Sequence, residues 1–417
     1  VNTGEAARHF AFAPLNLPVR FFGGAEDLLG SLALLSRGWT FQEVQAGDEG
    51  ASPLVVRREA GLYRIDAPWL DEPVREHDPF RAAANLAVDL LEACLDENPD
   101  MLTVHCATVE IDGRAVLFPA RSRAGKSTLA ARLAAEGLPV LGDDVIALTG
   151  KDAPQAMSFG LFPRPRTPLP DHAGPSFRSF VDRHGNTRSG KYTYLDLPGA
   201  QAPWFGRTAP LGAVVLLDRA KDRPVSLTRI GAGDGLQELL LQNLSPSLAM
   251  GEALPRLVSM LKGVPCLRLG YWNLDEAAAR LATLFSNLPP PQDTQSEGAE
   301  TPAPSPSGRP DLGEATHAGP LFVRRAGIDR LIVDDGSFLI ETWSGTVYRL
   351  NPVSNALWTL MEHPVSAERS GALLAAAFPD TDGTRIMADV KAHFAEMTGA
   401  GLIVESASAG GADHERS

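Results

Sequence analysis

Cysteine is scarce, with only Cys94, Cys106 and Cys266 in 417 residues. Their wide spacing and mostly apolar surroundings exclude a disulfide framework or a metal knot built from them alone, and fit reduced core thiols of a cytoplasmic protein. Positive charge is also short. Lys and Arg total 38 against 51 Asp and Glu, a formal net charge of -13. No cationic reservoir remains for general attraction to a nucleic-acid backbone, so nucleic acid is not an expected partner. No apolar run reaches the roughly 18 to 20 residues that span a bilayer, and Arg8, Arg20, Glu26 and Asp27 interrupt the apolar clusters of the first thirty residues. A signal peptide and stable membrane insertion are therefore not expected, although docking at a membrane-bound partner stays open.

What is present is 44% hydrophobic residues, 39 glycines and 33 prolines, enough for two or three buried cores. Residues 288–310 read LPPPQDTQSEGAETPAPSPSGRP, without any periodic apolar face. That composition marks a linker. The expected division is an N-terminal accessory region (1–100), a catalytic domain (101–287), a flexible linker (288–318), a C-terminal domain (319–405) and a disordered tail (406–417).

In the accessory region, 54–58 and 62–65 read as strands joined at Ala60-Gly61. Asp78 and Pro79 read as the N-cap and first residue of a helix reaching about Glu97, with Phe80, Ala84, Ala87, Leu91 and Leu95 on its apolar face. Strands are expected at 102–111 and 115–118, turning at Asp112-Gly113, then at 140–141, 145–148 and 211–217. Helices are expected at 233–244, 248–260 and 274–284.

The chemistry concentrates in Phe118-Pro119-Ala120-Arg121-Ser122-Arg123-Ala124-Gly125-Lys126-Ser127-Thr128. Apart from Ala120 in place of the first glycine, this has Walker A spacing between a strand and a helix. Backbone N–H groups of residues 123–127 can converge on phosphate oxygens, Lys126 can reach terminal phosphates, and the Ser127 hydroxyl can coordinate magnesium. ATP and Mg2+ are the expected cofactors. Asp143 and Asp144 follow an apolar stretch, and adjacent carboxylates can serve one site only if a strand end or turn separates their directions. Asp143 is assigned the hydroxyl-positioning or base role and Asp144 the metal-linked role, and the two can be exchanged. His105 is a third candidate, oriented toward Asp143 or a transferred phosphoryl group. Arg188 and Lys191, in a polar glycine-containing passage, are secondary acceptor-binding candidates.

His105-Cys106-Ala107, the loop from Ala120 to Thr128, and Gly142-Asp143-Asp144-Val145 resemble the HPr kinase/phosphorylase catalytic domain in order and spacing, and more closely the HPr-kinase-related proteins of bacterial peptide-modification and surface-polymer loci. The resemblance implies a P-loop kinase fold, phosphoryl transfer to a hydroxyl, and catalytic or phosphate-binding roles for His105, Lys126, Ser127, Asp143 and Asp144. Ala120, Arg123 and Cys106 stand where the bifunctional enzymes usually carry glycine. HPr is therefore not the expected substrate, and reverse phosphorolysis is not implied.

After the linker, short strands at 321–324, 330–333, 338–341 and 346–350, with turns at Asp335-Gly336 and Ser344-Gly345, precede three helices. Asn351-Pro352 and Ser366 cap the first two. The third covers about 384–399. Tyr348 to Trp358, Ala388-Asp389-Val390 and Gly401-Leu402-Ile403 resemble PqqD-like peptide-recognition domains. This implies capture of a precursor or leader-containing peptide by strand addition, with Phe338, Leu339 and Ile340 as an exposed edge and Lys391 and Phe394 on the neighbouring helix.

The fold class read from the sequence is thus an α/β P-loop kinase domain with an N-terminal α+β accessory region, linked to a C-terminal winged-helix-like domain of a β-hairpin and three helices. The expected function is ATP-dependent phosphorylation of a serine or other hydroxyl on a captured peptide. A small-molecule or saccharide kinase and a non-catalytic nucleotide-responsive peptide adaptor are the alternatives. Homo-oligomerisation is left open.

Overall fold

The computed structural model describes residues 7–14, 17–45, 54–98, 101–150, 152–170, 173–245, 248–289, 319–334 and 336–406. The expected linker from 290 onward, the tail beyond 406, and Asp335 of the Asp335-Gly336 turn lie outside the described residues. The chain divides into two compact units. One comprises Val1–Leu248 with Arg256–Pro291, and the other Ala249–Pro255 with Gln292–Ser417. The fold is mixed α/β.

The first unit opens with Arg8–Phe12 (β1), Leu17–Phe22 (β2), Phe41–Val44 (β3), Leu54–Glu59 (β4), Leu62–Asp66 (β5) and Val74–Glu76 (β6). They form one sheet in the order β3-β1-β2-β4-β5-β6. Ala60 and Gly61 both adopt positive φ, 50° and 79°, the backbone that a tight two-residue hairpin needs. The short helix Leu28–Ala33 (α1) and the long helix Pro79–Glu97 (α2) bury their sides in this layer. Asp78 starts α2 as read from the sequence, its carboxylate accepting from the Phe80 and Arg81 N–H groups at 2.8 and 3.2 Å. Of the expected apolar face, Ala87, Leu91 and Leu95 are buried, but the side of the helix that meets the sheet is wider than expected. Ala82, Ala83, Leu86, Leu90 and Ala93 enter the core with the sheet, while Phe80 and Ala84 are only partly buried. The helix has apolar residues on two sides, and periodicity alone does not say which one meets the sheet.

A second sheet follows, from Leu102–Val104 (β7), Cys106–Ile111 (β8), Arg114–Pro119 (β9), Val140–Gly142 (β10), Ile146–Thr149 (β11) and Gln155–Met157 (β12). The hairpin Gly185–Ser189 (β13) and Tyr192–Leu195 (β14) stands apart, and Thr208–Arg219 (β15), Ser226–Ile230 (β16) and Cys266–Tyr271 (β17) complete the set. The sheet runs β10-β8-β9-β15-β12-β11-β7, with β17 also on β15 and β16 on β17. The expected single strand at 102–111 is broken at His105, because β7 pairs with β11 while β8 pairs with β9 and β10. Strand β15 runs parallel to both β9 and β17, so their carboxyl ends share one edge. Helices Lys126–Ala135 (α3), Pro175–His184 (α4) and Leu274–Ala282 (α7) contribute Leu129, Leu133, Phe177, Ala277 and Leu281 to the core on this sheet. Ala232–Leu241 (α5) lies close to β15 and β17 at Gly235, and Met250–Met260 (α6) follows it.

The second unit contains Phe322–Arg324 (β18), Ile328–Val333 (β19), Gly336–Glu341 (β20) and Val347–Leu350 (β21), then helices Pro352–Leu360 (α8), Ala367–Ala377 (α9) and Gly383–Gly399 (α10), and finally Ile403–Glu405 (β22). Asn351 and Ser366 cap α8 and α9 as read from sequence, accepting from the Ser354 and Arg369 N–H groups. Leu357, Trp358, Met361, Val390 and Phe394 fill the core. Phe378, the residue that caps the end of α9, is exposed.

Candidate active site

Between β9 and α3 the chain turns through residues 120–125. Gly125 caps α3 with φ 101°, a conformation that L side chains rarely adopt. Its Cα is also crowded, since an added Cβ would lie 3.3 Å from the Tyr271 hydroxyl and 3.4 Å from Arg219 Nη1. Arg123 takes a positive φ of 72°, so a non-glycine residue carries a backbone state that glycine adopts without cost. Lys126 is 5% exposed. Its ammonium donates to the Ala120 and Arg121 carbonyls at 2.5 and 3.3 Å. Burial lowers its pKa, against the opposing pull of Asp143 and Asp144. Ser122, Arg123, Gly125, Lys126, Ser127 and Thr128 line a cavity of about 690 Å3. Ala120, Arg121 and Ala124 are not on its wall, although the Ala120 and Arg121 carbonyls hold Lys126.

The acidic pair faces the same cavity. β10 ends at Gly142 and β11 begins at Ile146, with Asp144 at φ 71° between them. Short polar residues tolerate this left-handed turn, and it lets neighbouring carboxylates enter one site. Asp143 is 2% exposed. Its Oδ2 accepts from the Arg164 backbone N–H at 3.0 Å, the nearby Ser127 hydroxyl slightly favours the ionised carboxylate, and Oδ1 is buried with no partner among the described residues. Burial foremost, then the Asp144 charge, pushes Asp143 up to about 6. Asp144 goes the other way, to about 2. Burial opposes its charge, but His105 and Arg164 outweigh burial. His105 Nε2 lies 3.5 Å from Asp144 Oδ1, so the histidine sits against Asp144, where an orientation toward Asp143 or a transferred phosphoryl group was expected.

Arg164 is the main addition that sequence reading missed. Its side chain pairs with Asp144 Oδ2 and stacks over the Tyr192 ring at 5.2 Å. Arg166 stacks on the same ring at 5.5 Å and also lines the cavity. The signal for both was the run Phe162-Pro163-Arg164-Pro165-Arg166, whose prolines bar a helix and keep the chain extended. Arg219, at the carboxyl end of β15, borders the cavity beside Gly125. Carboxyl ends of parallel strands are where α/β folds gather ligands.

Arg188 and Lys191 do not join the site. Their passage is the β13–β14 hairpin, in which Arg188 is exposed and 3.6 Å from Asp182, while Lys191 lies over the Tyr192 ring at 5.9 Å. Neither borders the cavity; the hairpin presents Tyr192 and Tyr194 there instead. In the second unit, Phe338, Leu339 and Ile340 are not an exposed edge. They lie on β20, which is hydrogen-bonded by β19 on one side and β21 on the other, so its backbone groups are already used. Lys391 and Phe394 do border a surface groove, with Pro320, Phe322 and Thr398, and Lys391 pairs with Glu368 at 3.3 Å.

No cluster of three or more His, Cys, Asp or Glu side chains suited to hold a metal occurs among the described residues, and none of their helices is long and apolar enough to cross a membrane.

Residues 332–403 match the family model for coenzyme PQQ synthesis protein D (PqqD), and a PqqD domain therefore occupies much of the second unit. Among solved structures, TbiB1 in complex with the TbiA(beta) leader peptide is 19% identical, covering 21% of this chain and 99% of that one, with a TM-score of 0.19. The Hpr(Ser) kinase/phosphatase from Coxiella burnetii is 16% identical, covering 44% of this chain and 94% of that one, with a TM-score of 0.23. No curated protein sequence matches.

Proposed function

We propose that the first unit is a P-loop kinase that transfers the terminal phosphoryl group of ATP to a serine or other hydroxyl of a precursor peptide, and that the second, winged-helix-like unit captures that peptide. The observation that carries the reading is the meeting of Lys126 and Ser127 with Asp143 and Asp144 on one cavity. Helix N-terminal N–H groups and a buried ammonium suit polyphosphate, and a carboxylate with a free oxygen suits a hydroxyl donor.

In this reading the acceptor oxygen bonds to the terminal phosphorus, the bond to the bridging oxygen breaks, and ADP leaves. Asp143 orients the hydroxyl and takes its proton at Oδ1, the buried oxygen without a partner. A carboxyl raised to about 6 is better placed for this near neutral pH than an ordinary carboxylate. Lys126 leaves the Ala120 carbonyl for the phosphates, and Arg219 lies within the same cavity to offset their charge. The oxygen-only donors Ser127 and Asp144 suit magnesium, which when bound neutralises charge across the phosphates. Asp144 would need to release Arg164 to serve as a ligand. His105 and Arg164 hold Asp144 ionised meanwhile.

The PqqD match supports the peptide half of the reading. With β20 enclosed, the edges left for strand addition in its sheet are those of β19 and β21.

The test is mass spectrometry of a precursor-peptide pool incubated with the full chain, magnesium and ATP, beside Lys126→Ala and Asp143→Ala. Phosphopeptide formed by the wild type and abolished in both variants is expected. Equal product from all three would remove the assignment.

A further inference from the structure

We infer that the apolar wall which α2 and Leu244 add to the cavity is an acceptor subsite for a peptide segment in which an apolar side chain stands beside the reacting hydroxyl. The inference rests on the phosphoryl-transfer reading above and narrows its substrate. Ala84, Val88, Leu91 and Leu95 recur at helical spacing along α2 and line the cavity. Val88, Leu91 and Leu95 stand apart from Ala82, Leu86 and Leu90, which are spent on the sheet, while Ala84 also packs partly against that core. Val88 is 61% and Leu244 44% exposed. Two large apolar side chains left wet at the rim of one cavity mark a surface with something to cover it.

The wall is continuous with the acidic pair. Val145 follows Asp144 directly, borders the cavity and packs against the cluster containing Leu91. On the other side, Ser127 of the phosphate loop borders the same cavity as Asp143 and lies close enough to favour its ionised form. The carboxylates therefore stand between the phosphate loop and the apolar wall. A hydroxyl presented to Asp143 from the side away from the loop brings its neighbouring residue onto α2.

The chemistry of the wall selects among acceptors. Glu92 is the only polar side chain that α2 places on it. A sugar carries a hydroxyl on almost every ring carbon and would give up hydrogen bonds to water without replacement there. An aliphatic side chain gains from the same transfer. The wall thus favours a peptide acceptor over a saccharide.

The experiment titrates full-length protein, loaded with magnesium and a non-hydrolysable ATP analogue, with short labelled peptides whose central serine is flanked by leucine or by glutamine. The leucine-flanked peptide should bind about tenfold more tightly, the scale of one aliphatic side chain regaining apolar contact. In Val88→Gln and in Leu244→Gln, with folding checked by melting temperature, that preference should shrink to about twofold. Equal wild-type affinities, or a preference undiminished in both variants, would overturn the inference. So would Val88→Gln weakening the nucleotide analogue instead of the peptide, because that outcome assigns the wall to the base. A parallel assay of terminal-phosphate transfer separates the two readings. Preference without transfer sinks the kinase and leaves the subsite, and transfer without preference sinks the subsite alone.

Discussion

Arg164 holds Asp144 from outside the sequence motif. The guanidinium pairs with Asp144 Oδ2, and the backbone N–H of the same residue donates to Asp143 Oδ2 at 3.0 Å. One residue thus tethers both carboxylates, by a side-chain bond that substitution removes and a backbone bond that it spares. Arg164→Ala should lower metal-free stability by about 1–2 kcal/mol in urea unfolding, the value of a partly shielded charge-assisted pair. It should also raise the protonation midpoint of Asp144, read by carboxyl NMR, because a nearby cation is lost. An unmoved midpoint would mean that His105 alone keeps Asp144 charged.

Asp143 gives a prediction in which the sign is fixed by linkage. Its native midpoint, near 6, lies above the ordinary value of 3.8. Between those values the unfolded carboxyl is ionised while the native one retains its proton, so stability falls as pH rises through the window and the loss is complete above about 6. Asp143→Asn, which cannot ionise, should melt a few degrees (~2–6 °C) above the wild type at pH 7.5, with the gap closing toward pH 4. The magnesium-free, nucleotide-free protein is the right sample. A gap that widened on acidification would refute the buried-acid argument.

Lys126→Ala should reduce phosphoryl transfer by about 10^2–10^3-fold, as expected when a preorganised charge is taken from a developing phosphate charge. Far-ultraviolet circular dichroism should stay unchanged, since the ammonium is bonded only to loop carbonyls. Transfer within threefold (~0.7 kcal/mol) of wild type would exclude a phosphate role.

Gly125→Ala tests the loop itself. At φ 101° alanine is strained, and the Tyr271 hydroxyl and Arg219 guanidinium stand 3.3 and 3.4 Å from its new methyl group. Isothermal titration should find ATP affinity weakened by about tenfold or more, for a strain of about 1–2 kcal/mol. Ala120→Gly, by contrast, should leave affinity nearly unchanged, because residue 120 does not border the cavity.

In the second unit, Ile332 is an exposed apolar residue on β19. If β19 receives the peptide, Ile332→Lys should weaken leader-peptide binding by about tenfold without moving the melting temperature. Unchanged binding would direct attention to β21 or to the groove beside Lys391.

Legibility followed distance along the chain. Asp78, Asn351 and Ser366 were recognisable as helix caps, and Ala60-Gly61 as a tight turn, because each satisfies groups within four residues of itself. The loop from Ala120 to Thr128 and the Asp143-Asp144 pair were equally visible as candidates, their chemistry being written in adjacent side chains. Arg188 and Lys191 misled for the same reason: a polar glycine-containing stretch describes a hairpin as well as a binding loop. Phe338 to Ile340 misled because alternation identifies a strand without saying whether one side or both is paired.

The sequence alone indicated where α2, α8 and α9 start, that a tight turn falls at Ala60-Gly61, and which short segments bear the candidate phosphate-binding and acidic groups. Tertiary structure alone decided that Arg164 reaches Asp144, that His105 faces Asp144 and not Asp143, that Arg219 approaches Gly125, and that one side of α2 forms a cavity wall. Caps and turns are set by bonds among near neighbours, which local spacing encodes. A cavity is the space left when distant strands and helices pack together, and no window of sequence contains both of its sides.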